Sequence, residues 1–463
     1  MDEIKKPNIF FLLIDSFRSD KFYGKNKTSI TPNLDSLIKK GVYFTQAINS
    51  SPASTSSISS ILTAKWPHKV ITSGKKNHEL SHEESNFINH LNELGYNTTA
   101  LTPDYFTYAK LTTDFNESLQ FNGGLYDGVG QQILDILDKL ESPWFFFIHL
   151  LDIHGTARNF PKQFDHKKFG FNGYERRISA MDPWFGKIFN KIDQNNTLII
   201  ITADHSTDRG IYTLKQEKLK NSFNQNNFQP FVGVASKILF GSLSKKFRQF
   251  YVDKKINTKK QKKHNALKNI SELTPYEKRV QNNLVNPSFS LFDDRFRIPL
   301  LFAGLGLKPK IIDQQIRSID IFPSILDIIK VPSKTDIDGL SVLPLISGES
   351  FEEKPALMQI ITNWLSTKSS SDINVLGIRF NGFKYFRSRE NSNKEIHLYD
   401  LKNDPYEENN LALQKPEKVN EMELILSEIQ NNDLDNFENE SKNYDDLKKD
   451  KNTTEKFKKM DHL

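Results

Sequence analysis

The chain has no cysteine among its 463 residues. That absence excludes a disulfide framework, thiolate metal sites and a cysteine nucleophile. No apolar run approaches the ~20 residues needed to span a bilayer. Nor does a secretory signal with an apolar middle precede the first strand, because Met1-Asp-Glu-Ile-Lys-Lys-Pro7 runs directly into it. These absences predict a cytoplasmic protein. A large excess of one charge is missing too: the net charge is +6 and the pI about 8.9. That balance is far from a dedicated nucleic-acid binder and is compatible with an anionic substrate. The aromatic-basic interleaving of a single-strand binder is also absent. What remains, 37% hydrophobic and 26% charged residues, suits a soluble globular protein. The length predicts one large domain and a smaller one.

Metal-ligand residue types sit at the ends of apolar runs. Asp15 closes Asn8-Ile-Phe-Phe-Leu-Leu-Ile14, and Asp204 and His205 close Thr197-Leu-Ile-Ile-Ile-Thr-Ala203. Asp152 and His154 close Trp144-Phe-Phe-Phe-Ile-His-Leu-Leu151. Runs of this kind suit buried parallel strands. In open α/β sheets, ligands bind outside the carboxyl ends of such strands. Three strands are therefore expected to deliver carboxylates and imidazoles to one rim.

Strands are expected at Ile9–Ile14, Asn97–Leu101, Trp144–Leu150, Leu198–Thr202 and Ile298–Phe302. Helical stretches alternate with them at Thr31–Lys40, Ser56–Leu62, Glu84–Leu94, Gln131–Leu140 and Tyr174–Ile192. Residues 1–350 thus read as a doubly wound α/β domain. Thr31-Pro32 reads as an N-cap followed by proline at the first helical position. Pro183, inside a helical pattern, predicts a kink or break. Residues near 207–295 disturb the alternation and include the lysine-rich Lys254–Lys263. They read as a solvated insertion, or else as a lid or a docking surface for a polyanion. Residues 351–412 read as a small C-terminal subdomain with antiparallel strands at Val375–Phe380, Phe383–Arg387 and His397–Asp400. Residues 413–463 read as a polar tail, partly helical or disordered.

Ser54 opens Ser54-Thr-Ser-Ser-Ile-Ser-Ser-Ile-Leu-Thr-Ala-Lys-Trp-Pro-His68, just before a helical pattern. A hydroxyl at a helix N-terminus is placed where negative charge is stabilised. A neighbouring divalent metal would lower its pKa further. The competing reading makes Ser54 or Thr55 a simple N-cap.

These segments, in order, resemble the sulfatase family within the alkaline phosphatase superfamily. The first strand and Thr31-Pro32 through Thr45 resemble its opening, and Ser54 through Pro67 its nucleophile segment. His149-Leu-Leu-Asp-Ile-His154 resembles its histidine motif, and Ala203-Asp-His-Ser206 its metal motif. Ile316–Leu326, Asp338–Leu345 and Leu398–Leu411 resemble its later landmarks. The match runs from about residue 7 to 412 with one long insertion. It implies an alkaline-phosphatase-like, mostly parallel sheet flanked by helices. It also implies that Asp15, Asp204 and His205 bind one divalent cation, on which Ser54 sits as nucleophile. Lys65 would stabilise the ester oxygens, and His154 would contact the transferred group or assist the leaving group. His149 reads as an interior histidine.

The departures are specific. Typical members carry Cys or Ser, then Pro two positions later and Arg four positions later, the code for conversion to formylglycine. Here those positions are Ser54, Ser56 and Ile58, so the modification is not expected. The usual second acid after the first strand is Ser16. Two carboxylates, an imidazole and a hydroxyl favour Mn, Zn or Mg over Ca. The resemblance implies a hydrolase of sulfate or phosphate esters whose anionic substrate is a small ester, a glycan or another polymer. An unmodified serine leans toward phosphate, because a serine sulfate lacks the aldehyde exit of a formylglycine intermediate. Two alternatives stay open. One is transfer of a phospho-alcohol onto a surface glycan, and the other is an inactive, anion-binding relative.

Overall fold

The structure, a computed structural model, describes residues 6–73, 78–81, 86–103, 109–154, 160–207, 274–285, 290–332, 336–360, 375–389 and 391–430. The lysine-rich 254–263 therefore lies outside the described residues. Strands β1 (Asn8–Ile14) and β2 (Val42–Ile48) come first; β3 (Ile71–Ser73) and β4 (His78–Leu80) form a separate ribbon. Next come β5 (Asn97–Pro103), β6 (Glu117–Phe121), β7 (Trp144–Leu150) and β8 (Thr197–Thr202). The large sheet is completed by β9 (Arg297–Gly304), β10 (Lys310–Ile312) and β11 (Ile316–Arg317).

Its order is β10-β2-β9-β8-β1-β7-β5-β6, with β11 beside β2. From β8 to β6 every pairing is parallel, whereas β9 runs antiparallel to both β2 and β8. The expected mostly parallel sheet is present. All seven residues of β1, of β7 and all six of β8 are buried, which explains why these strands read as unbroken apolar runs. Gly304 ends β9 at φ +88°, and a Cβ there would lie 2.1 Å from the Thr197 carbonyl oxygen. Only glycine closes β9 this tightly on the start of β8.

One helical expectation is corrected and another is met in part. The helix Gly173–Lys191 runs through Pro183 without a break. It buries Ile178, Met181, Phe185 and Ile188 along one face, and that burial offsets the ~3 kcal/mol a central proline costs. Thr31 does precede the helix Pro32–Ile38, but its side chain makes no capping bond. The cap comes from across the layer. Asp182 accepts hydrogen bonds from the Asn33 and Leu34 backbone N–H groups at 3.1 and 2.9 Å.

A second sheet, antiparallel, has the order β12 (Ala356–Gln359), β13 (Val375–Phe380), β14 (Phe383–Ser388), β15 (His397–Asp400). Asn381 and Gly382, both at positive φ, form the two-residue turn between β13 and β14. Residues 416–430 are helical, and Met422 and Leu426 pack on this sheet beside Leu376, Ile378 and Leu398. The polar tail thus begins as a docked helix. Among the described residues, no helix is long and apolar enough to cross a membrane.

Candidate active site

Strand register brings the rim together. On β1, Leu13 is level with His149 of β7 and Thr202 of β8. Asp15 and Asp204 each lie two residues further on, and the Asp15 N–H still bonds the Leu150 carbonyl at 2.9 Å. Side chains two apart share a face, so both carboxylates emerge on one side of adjacent strands. Ligand atoms of Asp15, Asp204 and His205 all lie within 4.8 Å of one another.

Ser16 locks the pair. It adopts φ 61°, a left-handed conformation uncommon for serine. Its N–H donates to Asp204 Oδ1 at 3.0 Å, and its hydroxyl donates to Asp15 Oδ1 at 2.6 Å. The Tyr174 hydroxyl donates to the Ser16 carbonyl at 2.8 Å and accepts from the Arg18 N–H at 2.9 Å. On the other strand end, Ser57 Oγ donates to the Asp204 carbonyl, and Asn49 Oδ1 lies 2.9 Å from the same hydroxyl. Ser16, Asn49, Ser57 and Tyr174 are positioning groups that the sequence did not announce. Serine, asparagine and tyrosine at such places carry no periodic signal.

Ser54 is the first residue of the helix Ser54–Thr63, and the cap position falls on Ala53. The simple N-cap reading of Ser54 is therefore not realised. Its hydroxyl lies 3.4 Å from His205 Nε2. His205 Nδ1 is 2.8 Å from the Ser206 carbonyl. A carbonyl only accepts, so Nδ1 carries a proton, and in the neutral ring Nε2 turns its lone pair toward Ser54.

Electrostatics follow from burial in a small acidic site. Burial alone would raise the Asp204 carboxyl, but His205 and His149, helped by the Ser54 hydroxyl, hold it below the usual carboxylate range. Burial would lower His205, but Asp204 and Asp15 raise it. His149 is fully buried, and that burial lowers its pKa despite both acids nearby. Its Nε2 is 3.8 Å from Asp15 Oδ2 and 3.9 Å from Asp204 Oδ2. This histidine, expected to be merely interior, faces the site.

The other expected residues divide. His154 sits in the turn after β7, half-buried, with its N–H on the Leu151 carbonyl at 3.1 Å. It lies on the same rim. Lys65 does not join Ser54. It follows the C-terminal end of a ten-residue helix, ~15 Å along the axis from the nucleophile position. Its Nζ pairs with Asp336 Oδ2 at 2.6 Å. Asp152 accepts the Leu125 N–H at 3.0 Å; burial pushes its carboxyl up to about 6.

The residues fit a divalent cation. Asp204 Oδ2 is buried and meets no hydrogen-bond donor in bonding geometry. A carboxylate oxygen left so is costly unless it faces positive charge. Two carboxylates, an imidazole lone pair and a hydroxyl are a donor set for a small divalent metal.

The model of the sulfatase family matches residues 7–331, and that of the C-terminal part of N-sulphoglucosamine sulphohydrolase matches 288–440. Arylsulfatase K of Xenopus laevis is 32% identical over 144 residues, 30% of this chain and 27% of that protein. The chain thus matches about a quarter of that relative's length. The ulvan-active sulfatase of Formosa agariphila is 22% identical over 456 residues, 90% of this chain and 79% of its own. A 2-O GAG sulfatase structure superposes with a TM-score of 0.65 at 16% identity, covering 94% of both chains; at that identity it speaks for the fold. Since the family model covers well over half of its length, the chain belongs to the sulfatase family.

Proposed function

We propose that this chain is a metal-dependent hydrolase of sulfate esters on carbohydrate, with Ser54 as an unmodified nucleophile. The observation that carries it is the meeting of Asp15, Asp204 and His205 within 4.8 Å, with the Ser54 hydroxyl 3.4 Å from His205 Nε2. The relatives, an arylsulfatase, an ulvan-active sulfatase and a GAG sulfatase, support the ester class and the carbohydrate.

Asp15, Asp204, His205 and Ser54 would hold one divalent ion, with Mn, Zn or Mg favoured over Ca. Bound there, it supplies Lewis acidity that lowers the pKa of the Ser54 hydroxyl. Ser54 gives up its hydroxyl proton to solvent, and its Oγ attacks the central sulfur; the Oγ–S bond forms as the bond from sulfur to the ester oxygen breaks. Backbone N–H groups at the start of the helix Ser54–Thr63 stabilise the negative charge. His154, on the same rim, gives the departing oxygen its proton. Water then cleaves the serine ester.

A second reading, phosphate esters, is favoured by one observation: Ser54, Ser56 and Ile58 stand where the formylglycine code would be. A serine phosphate is released by water without an aldehyde exit. Phospho-alcohol transfer to a surface glycan rested on the basic 254–263, which lies outside the described residues.

The test is turnover of aryl sulfate and aryl phosphate by metal-stripped and metal-loaded protein. Metal should be required, and Ser54→Ala should lower kcat/KM by about 10^4-fold or more, as loss of a nucleophile does elsewhere. The faster substrate decides between the two readings. If the protein binds no metal and no preparation turns over either aryl ester or a sulfated carbohydrate, the enzyme reading falls in favour of an inactive, anion-binding relative.

A further inference from the structure

His149 occupies the penultimate position of β7 and is fully buried. The register described above places it on the sheet face that Asp15 and Asp204 use, one step below them. Its ring therefore rises beneath the two carboxylates. Nε2 lies 3.8 and 3.9 Å from their Oδ2 atoms. Those separations are too long for hydrogen bonds. Pairwise they suit donors around one cation, since metal bonds of ~2.0–2.2 Å hold neighbouring donors roughly 3–4 Å apart. Among the described residues the set mutually within 4.8 Å is Asp15, Asp204 and His205, so His149 completes it only with a small shift of its ring or of His205. His205 Nε2 is 3.5 Å from the same Asp204 Oδ2.

The two Oδ1 atoms are already engaged, because Ser16 donates its hydroxyl to Asp15 and its N–H to Asp204. The two Oδ2 atoms are the ones that face His149, and Asp204 Oδ2 has no hydrogen-bond donor. Ser16 thus orients the acids where a further acid would have been a ligand.

We infer that His149 is a ligand of this metal, so that β7 supplies the donor that position 16 does not. The inference rests on the metal-dependent reading above. Two carboxylates and two neutral imidazoles balance a divalent charge, and this donor set selects Zn or Mn against Ca.

The experiment is X-ray absorption on the full chain, stripped with a chelator and loaded with one equivalent of zinc, with zinc affinity measured by calorimetry. Two imidazoles are expected around zinc in the native protein, and one each in His149→Gln and His205→Gln. His149→Gln should lose zinc affinity about 100-fold or more, the upper end of what an outer partner costs. One imidazole in the native protein and none in His205→Gln would overturn the ligand role while leaving the metal-dependent hydrolase intact. Native protein that binds no zinc would overturn both. Should His149→Gln fail to fold, the native and His205→Gln counts still decide.

Discussion

At the rim, Asp15 and Asp204 face two imidazoles; at the junction with the antiparallel sheet, Asp293, Asp294 and Glu407 face Lys384, Arg379, Arg279 and Arg18. Both clusters bury their charges. The junction pairs them internally. Lys384 Nζ bonds Asp293 and lies 2.8 Å from Glu407 Oε1. Arg279 and Arg18 approach Asp294 at 3.1 and 3.4 Å. Burial would raise the Asp293 carboxyl, but Arg379 and Lys384 hold it well below its usual range. Every junction carboxylate lies within 4 Å of a lysine or arginine, although Glu407 Oε1, Arg379 Nε and Arg279 Nε make no bond in good geometry. The rim leaves Asp204 Oδ2 without a donor too, but offers its two acids only imidazoles. Charges matched within the fold serve structure, whereas charge left for something outside the fold marks a ligand site.

The junction can be broken most severely. Lys384→Met leaves Asp293 and Glu407 without their shared cation in a fully buried place. It should cost about 3–5 kcal/mol of unfolding free energy in urea. If it costs nothing, the junction is not the self-paired structural element described here.

The rim edge has the opposite response at Asp152. Its folded pKa of about 6 lies above the unfolded value. Stability from its protonated form is therefore complete below about pH 4 and lost as pH rises through 6. Asp152→Asn should be more stable than the native protein at pH 8 by up to about 3 kcal/mol, a gain that disappears by pH 4 in parallel urea melts. A constant difference across that range would refute burial as the cause.

Metal sharpens the contrast. Zinc at 100 times its Kd should stabilise the native protein by about 2.7 kcal/mol. The same increment should appear in Lys384→Met, because the two clusters share no ligand. A smaller increment in the variant would show that they are coupled. The least effect is expected at Lys65, whose partner Asp336 is exposed. Lys65→Ala should change stability by about 0.2–1 kcal/mol and leave kcat/KM within a few-fold. A large loss of turnover would return Lys65 to the reaction.

Strands β1, β7, β8 and β9 were legible because buried strands write continuous apolar runs; β5, rich in threonine, was expected in its place without such a run. β2, with Thr45 and Gln46 inside it, and the largely exposed β6 were not, since neither shows a clean period. Asp15, Asp204, His205 and Ser54 were legible as strand-end and helix-start residues. The Asp182 cap of the helix Pro32–Ile38 was not, because it spans about 150 residues of sequence. Nor was the docking of Met422 and Leu426, whose neighbours are mostly polar.

Local pattern alone determined which residues stand at strand ends, and hence the kind of chemistry available, because apolar periodicity acts over a few neighbouring positions. Only the tertiary structure decided that His149 shares the face of Asp15 and Asp204, and that Lys65 is a helix length away from Ser54. Distances between residues far apart in the chain are set by register and helix rise, and neither is written at any one position.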